Sequence, residues 1–183
     1  MPILRKFADS SRKLADIRTI AVCAMMLAVR VVLGIFANFT LAVVPFVKIG
    51  LSFIPVVIVA YLYGPVCAGI VGGAGDILSI ILSNPTAFSI TPGITVCCII
   101  EGMIYGAVLY HAELTLRRII LAQAAVLVLC TLPLNTLVLS GLMGIAYPTL
   151  LLYRSAVLVP FGAVQAAVIY LMRPLLKRVE KRT

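Results

Sequence analysis

The sequence predicts an all-α integral membrane protein, a bundle of six transmembrane helices with both termini in the cytoplasm. Of its 183 residues, 63% are hydrophobic and 11% are charged, whereas soluble domains have about 45–50% apolar and about 25% charged residues. The apolar residues also form runs of about 20, the length that crosses the hydrocarbon core of a bilayer as a helix. A soluble globular domain is therefore excluded.

The apolar runs divide the chain into six predicted spans within a single membrane domain, residues 1–183. The spans share a predominantly apolar composition and are residues 17–37, 49–63, 66–82, 94–110, 119–139 and 155–172. Ahead of them, residues 1–16 place basic and apolar side chains at helical spacing. This pattern indicates either a short amphipathic helix on the membrane surface or a flexible tail.

The distribution of basic residues predicts the orientation. Twelve of the 15 Lys and Arg residues lie in the N-terminal segment up to Arg18, in the loop after the fourth span and at the C-terminus. An even number of spans puts these three segments on one side of the membrane, and short basic segments favour the cytoplasmic side. The net charge of +9 is thus a topology signal, and it indicates contact with anionic lipid rather than with nucleic acid.

The charges that remain lie in the outer half of the predicted bundle, and they are Arg30, Lys48, Asp76, Glu101 and Arg154. At ~1.5 Å per residue, Arg30, Asp76 and Glu101 lie about 10 Å below the outer ends of their spans. We place Lys48 and Arg154 at the outer mouths. Because a charge at the bilayer centre costs about 2.5–3.5 kcal/mol, such side chains face a polar cavity or a partner. The sequence therefore predicts a pocket for a charged small molecule, open to the outside.

Two other interpretations of these charges remain open. In the first, Arg30 pairs with Asp76 or Glu101, so that the charges neutralise one another and nothing is bound. In the second, each acid forms only a structural hydrogen bond between helices. Three cations facing two acids favour the pocket, because surplus positive charge attracts an anion.

Small residues on the third and fourth spans predict close packing of these helices within the bundle. Small and polar side chains recur at spacings of three and four along the third span, at Gly69, Gly72, Asp76, Ser79 and Ser83, so this face is expected to look inward. In the fourth span Gly102 and Gly106 form a GxxxG pair, which lets two helices approach closely.

The chain lacks the motifs of several function classes. It contains no P-loop, no nucleophile elbow, no zinc-protease motif and a single histidine, which argues against nucleotide binding and against an enzyme. No cofactor or metal is expected. The two halves also show no inverted repeat, a usual mark of a secondary transporter, so any transport energy has to come from a partner.

A stripe of small residues on the first span is a candidate partner surface. Ala21, Ala24 and Ala28 lie on the side of this helix away from Arg30, at ~100° of rotation per residue. Small side chains let a neighbouring helix approach. Ordinary packing within the six-helix bundle is the alternative interpretation.

Several motifs in this order resemble the substrate-binding S components of energy-coupling factor (ECF) vitamin transporters, and most closely the folate-type members. The resemblance covers nearly the whole chain. Its motifs are Ala24-x-x-x-Ala28 followed by Arg30, Phe53-Ile54-Pro55, Leu62-Tyr63-Gly64-Pro65, Gly72 through Asp76-Ile77-Leu78, Pro92-Gly93-Ile94-Thr95, Glu101-Gly102-x-Ile104-Tyr105-Gly106, and Asn135-Thr136-Leu137 with Arg154.

The resemblance implies a vitamin captured near the outer surface and a complex with a T membrane subunit and two ABC-type ATPases. It also implies that the alanine stripe contacts the T subunit, that Asn135 belongs to the substrate site, and that the protein lies in the plasma membrane of a prokaryotic cell. ATP hydrolysis would then belong to the partner subunits.

Folate suits the charges of the predicted pocket. Its glutamate carboxylates match the cations Arg30, Lys48 and Arg154, its pterin ring offers hydrogen-bond donors to the two acids, and Phe88 is a possible stacking partner. Pantothenate or nicotinate, which would need only the cations, are the alternative substrates. A small channel and a membrane enzyme remain competing functions from other classes.

Overall fold

The computed structural model describes residues 3–36, 38–40, 48–83, 92–112, 114–144 and 146–180. In these ranges the helices are α1 Ile3–Lys13, α2 Ile17–Phe36, α3 Phe53–Tyr63, α4 Pro65–Ser83, α5 Pro92–Leu109, α6 Leu116–Val126, α7 Thr136–Met143, α8 Tyr147–Leu171 and α9 Arg173–Glu180. A π-helical segment, Leu127–Asn135, joins α6 to α7. Strands β1 Asn38–Thr40 and β2 Lys48–Gly50 form an antiparallel pair between α2 and α3. The predicted helical class is confirmed, with this small hairpin as an addition.

Among the described residues, five helical stretches are long and apolar enough to cross a membrane: α2, α4, α5, α8 and the continuous run from α6 through α7. The helix α3 has 11 residues, and at 1.5 Å per residue it is about 16 Å long, roughly half the hydrocarbon thickness. The second predicted span, 49–63, therefore starts too early, because its first two residues belong to β2. Hydropathy detects an apolar run but does not distinguish a strand from a helix.

The last long helix also differs from its predicted bounds. We predicted a span over 155–172, whereas α8 begins at Tyr147 with Pro148 in its first turn, a position where proline fits a helix without losing a hydrogen bond. Arg154 consequently lies two turns inside α8. The predicted span would have placed it just before a helix; its assignment to the outer mouth of the bundle stays a prediction from sequence.

The short helix α3 occupies the interior. Val59, Ala60 and Tyr63 are almost completely buried, and α3 packs against α2, α4, α5 and α9. A helix too short to span is tolerated at membrane depth when protein surrounds it, because its end groups then find protein or cavity partners instead of lipid. The packing of these helices around α3 therefore explains how so short a helix is tolerated among the membrane spans.

Glycines bring α4 and α5 into direct backbone contact. A Cβ atom on Gly102 would overlap the carbonyl oxygen of Ala68, and one on Gly106 would overlap Pro65. On the other helix, a Cβ atom on Gly72 would overlap the carbonyl oxygen of Cys98. The predicted GxxxG packing is confirmed, and it sets the two acid-bearing helices side by side.

The N-terminal helix α1 caps the turn between α3 and α4. The buried Ser10 Oγ donates a hydrogen bond to the Tyr63 carbonyl at 2.7 Å and accepts one from the Val66 amide at 3.1 Å. Gly64, between them, has φ +90°, a conformation that glycine adopts without strain. The segment predicted as surface helix or flexible tail is thus a helix with a buried contact to the bundle.

Candidate functional site

Arg30 on α2 reaches over the backbone of α4. Its side chain lies against Gly75, where a Cβ atom would overlap Arg30 Cδ and Nε. The guanidinium Nη1 donates a hydrogen bond of 3.4 Å to the carbonyl of Ser52, just before α3. Arg30 is therefore held at the irregular end of the short helix, and most of its five donors have no partner among the described residues.

Asp76 on α4 is joined to α5. Its Oδ2 accepts a hydrogen bond of 2.9 Å from Thr95 Oγ1, and Thr95 itself is buried. One carboxylate oxygen is thus engaged by a neutral hydroxyl. Because an ionised carboxylate offers about four acceptor positions, Asp76 keeps acceptor capacity for a further donor.

Glu101 on α5 is held by the π-helical segment. Its Oε1 accepts a hydrogen bond of 3.1 Å from Thr131 Oγ1. Next to Thr131, the Cys130 thiol donates to the carbonyl of Cys97 at 3.2 Å, one turn before Glu101 on α5. Wide π turns within α-helices occur frequently at functional sites, and here the segment lies against the buried acid.

Arg154 on α8 is a buried cation with little compensation. It is 5% exposed, its Nη1 donates to Asn135 Oδ1 at 3.4 Å, and its buried Nε has no hydrogen-bond partner in the part of the chain that the structure describes. Asn135 ends the π-helical segment. A buried charge without adequate partners is costly. Arg154, together with Asn135, is therefore suited to receiving an anionic group.

The structure brings these four charges into one region. Arg30, Asp76 and Arg154 all interact electrostatically with Glu101. Their hydrogen bonds go to a carbonyl, two threonines and an amide, and none of the four forms an ion pair within the described part of the chain. Two cations and two acids thus face one region without neutralising one another directly.

Two predicted site residues are not placed by this geometry. The backbone of Lys48 opens β2, but its side chain lies outside the described residues, and so does the whole of Phe88. Their assignment to the substrate site stays a prediction from sequence.

A chain of hydrogen bonds lies below the charges, toward the C-terminal end of α5. Tyr105, one turn after Glu101, donates to Gln123 Oε1 at 2.6 Å, and Gln123 Nε2 donates in turn to Gln165 Oε1. These three side chains tie α5, α6 and α8 together. The charged region is therefore closed on this side by a satisfied polar network.

The alanine stripe is open on the outside of the molecule. Ala21, Ala24 and Ala28 are exposed, and they share the outer face of α2 with large apolar side chains such as Met25 and Val29. Arg30 points the other way, onto α4. One helix thus presents an exposed apolar outer face, which includes the three alanines, and a charged inner face.

Four residues that shape the site were not predicted as site residues: Ser52, Gly75, Thr95 and Thr131. Each acts through a partner on another helix. Thr95 belongs to a motif of the family resemblance, but no spacing in the sequence pairs it with an acid. The two threonines could be found only once the helix registers were known.

Comparisons with known proteins agree on one family. The family model described as "ECF transporter, substrate-specific component" matches residues 18–176. The folate transporter FolT of Clostridium novyi (strain NT) is 32% identical over 133 residues, which are 71% of this chain and 76% of that protein. A crystal structure of FolT bound with folic acid superposes with a TM-score of 0.77 at 29% identity, covering 87% of this chain and 94% of that one.

These matches confirm the resemblance that the sequence motifs indicated. They also confirm that the protein is a transport component and not an enzyme, and with five spanning stretches it is a multi-pass membrane protein. The chain belongs to the family of substrate-specific S components of ECF transporters.

Proposed function

We propose that this protein binds folate in a pocket lined by the four convergent charges and delivers it inward as an S component. The observation that carries this proposal is the set of four convergent charges that form no ion pair in the described part of a chain similar to FolT. Charges held this way inside a membrane protein mark substrate pathways.

The chemistry of folate matches both signs of charge. Arg30 and Arg154 supply guanidinium donors for the glutamate carboxylates, and Arg154 has a buried Nε without a partner. Asp76 and Glu101 each have one oxygen engaged by a threonine, which leaves acceptor capacity for the N–H groups of the pterin. Nicotinate would leave the acids without such donors, and an acceptor left unpaired inside the protein is costly. Pantothenate has an amide and two hydroxyl groups, but it lacks the planar N–H edge that a pterin presents.

The predicted topology completes the proposal. The short helix α3 serves as the sixth membrane segment of a single domain, and the basic segments at both termini lie in the cytoplasm. The pocket then opens outward, and Lys48, Phe88 and Asn135 belong to it. The prokaryotic plasma membrane is the expected location.

The energy for uptake comes, in this proposal, from a complex with a T membrane subunit and two ATPases. The exposed face with Ala21, Ala24 and Ala28 is the surface offered to the T subunit, because small residues allow a close helix approach. A channel would need polar side chains continuing past the network of Tyr105, Gln123 and Gln165, whose hydrogen bonds instead join three helices.

Native mass spectrometry tests the substrate without assuming it. The purified protein is ionised from detergent, and the small molecule that co-purifies is identified by its mass. Folate bound to the wild-type protein and lost from an Arg30→Ala variant supports the proposal. Retention of pantothenate or nicotinate in place of folate would refute the substrate while leaving the family assignment intact.

A further inference from the structure

The hydroxyl of Thr131 lies between two acceptors. It is 3.1 Å from Glu101 Oε1 and 3.4 Å from the carbonyl oxygen of Val126. A threonine hydroxyl has a single hydrogen to donate, so it cannot make both hydrogen bonds at once. Without a ligand, the shorter bond to Glu101 is the one that Thr131 makes.

The π-helical segment is what brings Thr131 to Glu101. Val126 precedes Thr131 by five residues, the spacing of a π turn, whereas a threonine in an α-helix bonds back to the carbonyl four residues earlier. Cys130 contacts the Cys97 carbonyl, so two adjacent residues of the segment meet two successive turns of α5. This double contact fixes the register in which the hydroxyl faces the acid.

We infer that Thr131 is a positioning residue for substrate binding: it holds one oxygen of Glu101 so that the other is presented to the ligand. The inference rests on the proposed function, in which the pterin supplies the N–H donors. Asp76 is arranged in the same way, since Thr95 engages one of its oxygens. Each acid therefore has a fixed orientation before the ligand arrives, which lowers the entropy lost on binding.

The test begins with Thr131→Val, which removes the donor and keeps the shape of the side chain. Folate affinity of the purified protein is expected to fall about tenfold, the size of one hydrogen bond to a charged group. Thr131→Ser restores the hydroxyl and is expected to restore most of the affinity. Thr136→Val is the matched control, because Thr136 lies nearby, is fully buried and has a hydroxyl without a hydrogen-bond partner.

A double-mutant cycle with Glu101→Gln separates positioning from a general effect on the fold. If Thr131 acts through Glu101, Thr131→Val has little further effect on affinity once the carboxylate is gone, and the two changes are non-additive. An equal loss of affinity in both backgrounds would overturn the inference. So would wild-type affinity in Thr131→Val.

A second readout needs no ligand. The infrared band of the Glu101 carboxyl group is assigned by subtracting the spectrum of Glu101→Gln, and Thr131→Val is expected to shift it while Thr136→Val leaves it in place. An unmoved band in Thr131→Val would overturn the contact itself. If the band shifts but the wild-type protein binds no folate, the proposed function fails, and the positioning role for folate fails with it.

Discussion

Replacing Arg30 with alanine separates a ligand-binding charge from a structural one. Arg30 makes one hydrogen bond in the described part of the protein, 3.4 Å long and to the neutral carbonyl of Ser52. Folding therefore gains little from this cation, and its removal relieves part of the cost of an unneutralised charge at membrane depth. We expect the ligand-free Arg30→Ala protein to unfold at a temperature close to that of the wild type, or slightly above it.

Binding is expected to respond very differently. A charge-assisted hydrogen bond to a carboxylate contributes about 1.5–3 kcal/mol, and every 1.4 kcal/mol is a factor of ten in affinity, so Arg30→Ala should weaken folate binding roughly tenfold to a hundredfold. Calorimetric titration of the detergent-purified protein measures this loss. The matched control is Arg12→Ala, which removes an exposed cation on α1.

The reasoning is refuted if Arg30→Ala keeps wild-type affinity. It is equally refuted if the variant loses its thermal stability together with its affinity, because Arg30 would then be part of the scaffold and not of the pocket.

Three further changes test other parts of the structure. Gly75→Ala places a methyl group where the Arg30 side chain lies, so folate affinity should fall although the charge of the pocket is unchanged. Titration with folate measures this loss, which should be no larger than the loss in Arg30→Ala. Ala24→Leu or Ala28→Leu should reduce co-purification with a T subunit and leave folate binding by the isolated protein unchanged. A pull-down and a titration run in parallel measure the two effects, and a loss of folate binding with the T subunit retained would contradict the assignment of this face. Ser10→Ala removes the hydroxyl that bridges the α3–α4 turn and should cost about 1–3 kcal/mol of stability, visible as a lower melting temperature with unchanged affinity.

The membrane class and the charged residues could be predicted because each depends on local sequence. A run of about 20 apolar residues indicates a membrane-spanning helix, and an acid inside such a run, like Asp76 or Glu101, indicates a polar surrounding. The close helix packing at the GxxxG pair Gly102 and Gly106 could also be predicted, since both glycines lie on one face of one helix.

The features that sequence analysis missed depend on contacts between distant segments. Nothing local to Lys48, Ile49 and Gly50 distinguishes a strand from the first turn of a span, and Arg154 was predicted to lie just before a span because the helix start at Tyr147 was not recognised. The pairing of Glu101 with Thr131 depends on the wide turn of the π-helical segment, which changes the register of every residue after it.

The central claim is that the convergent charges form a folate pocket, and a titration of folate into the wild-type protein alone tests it most directly. We expect saturable binding of folate to one site without any partner subunit or ATP. Raising the salt concentration should lower the affinity only modestly, because charges inside the protein are poorly screened. No heat of binding with folate, or binding of pantothenate or nicotinate in its place, would contradict it.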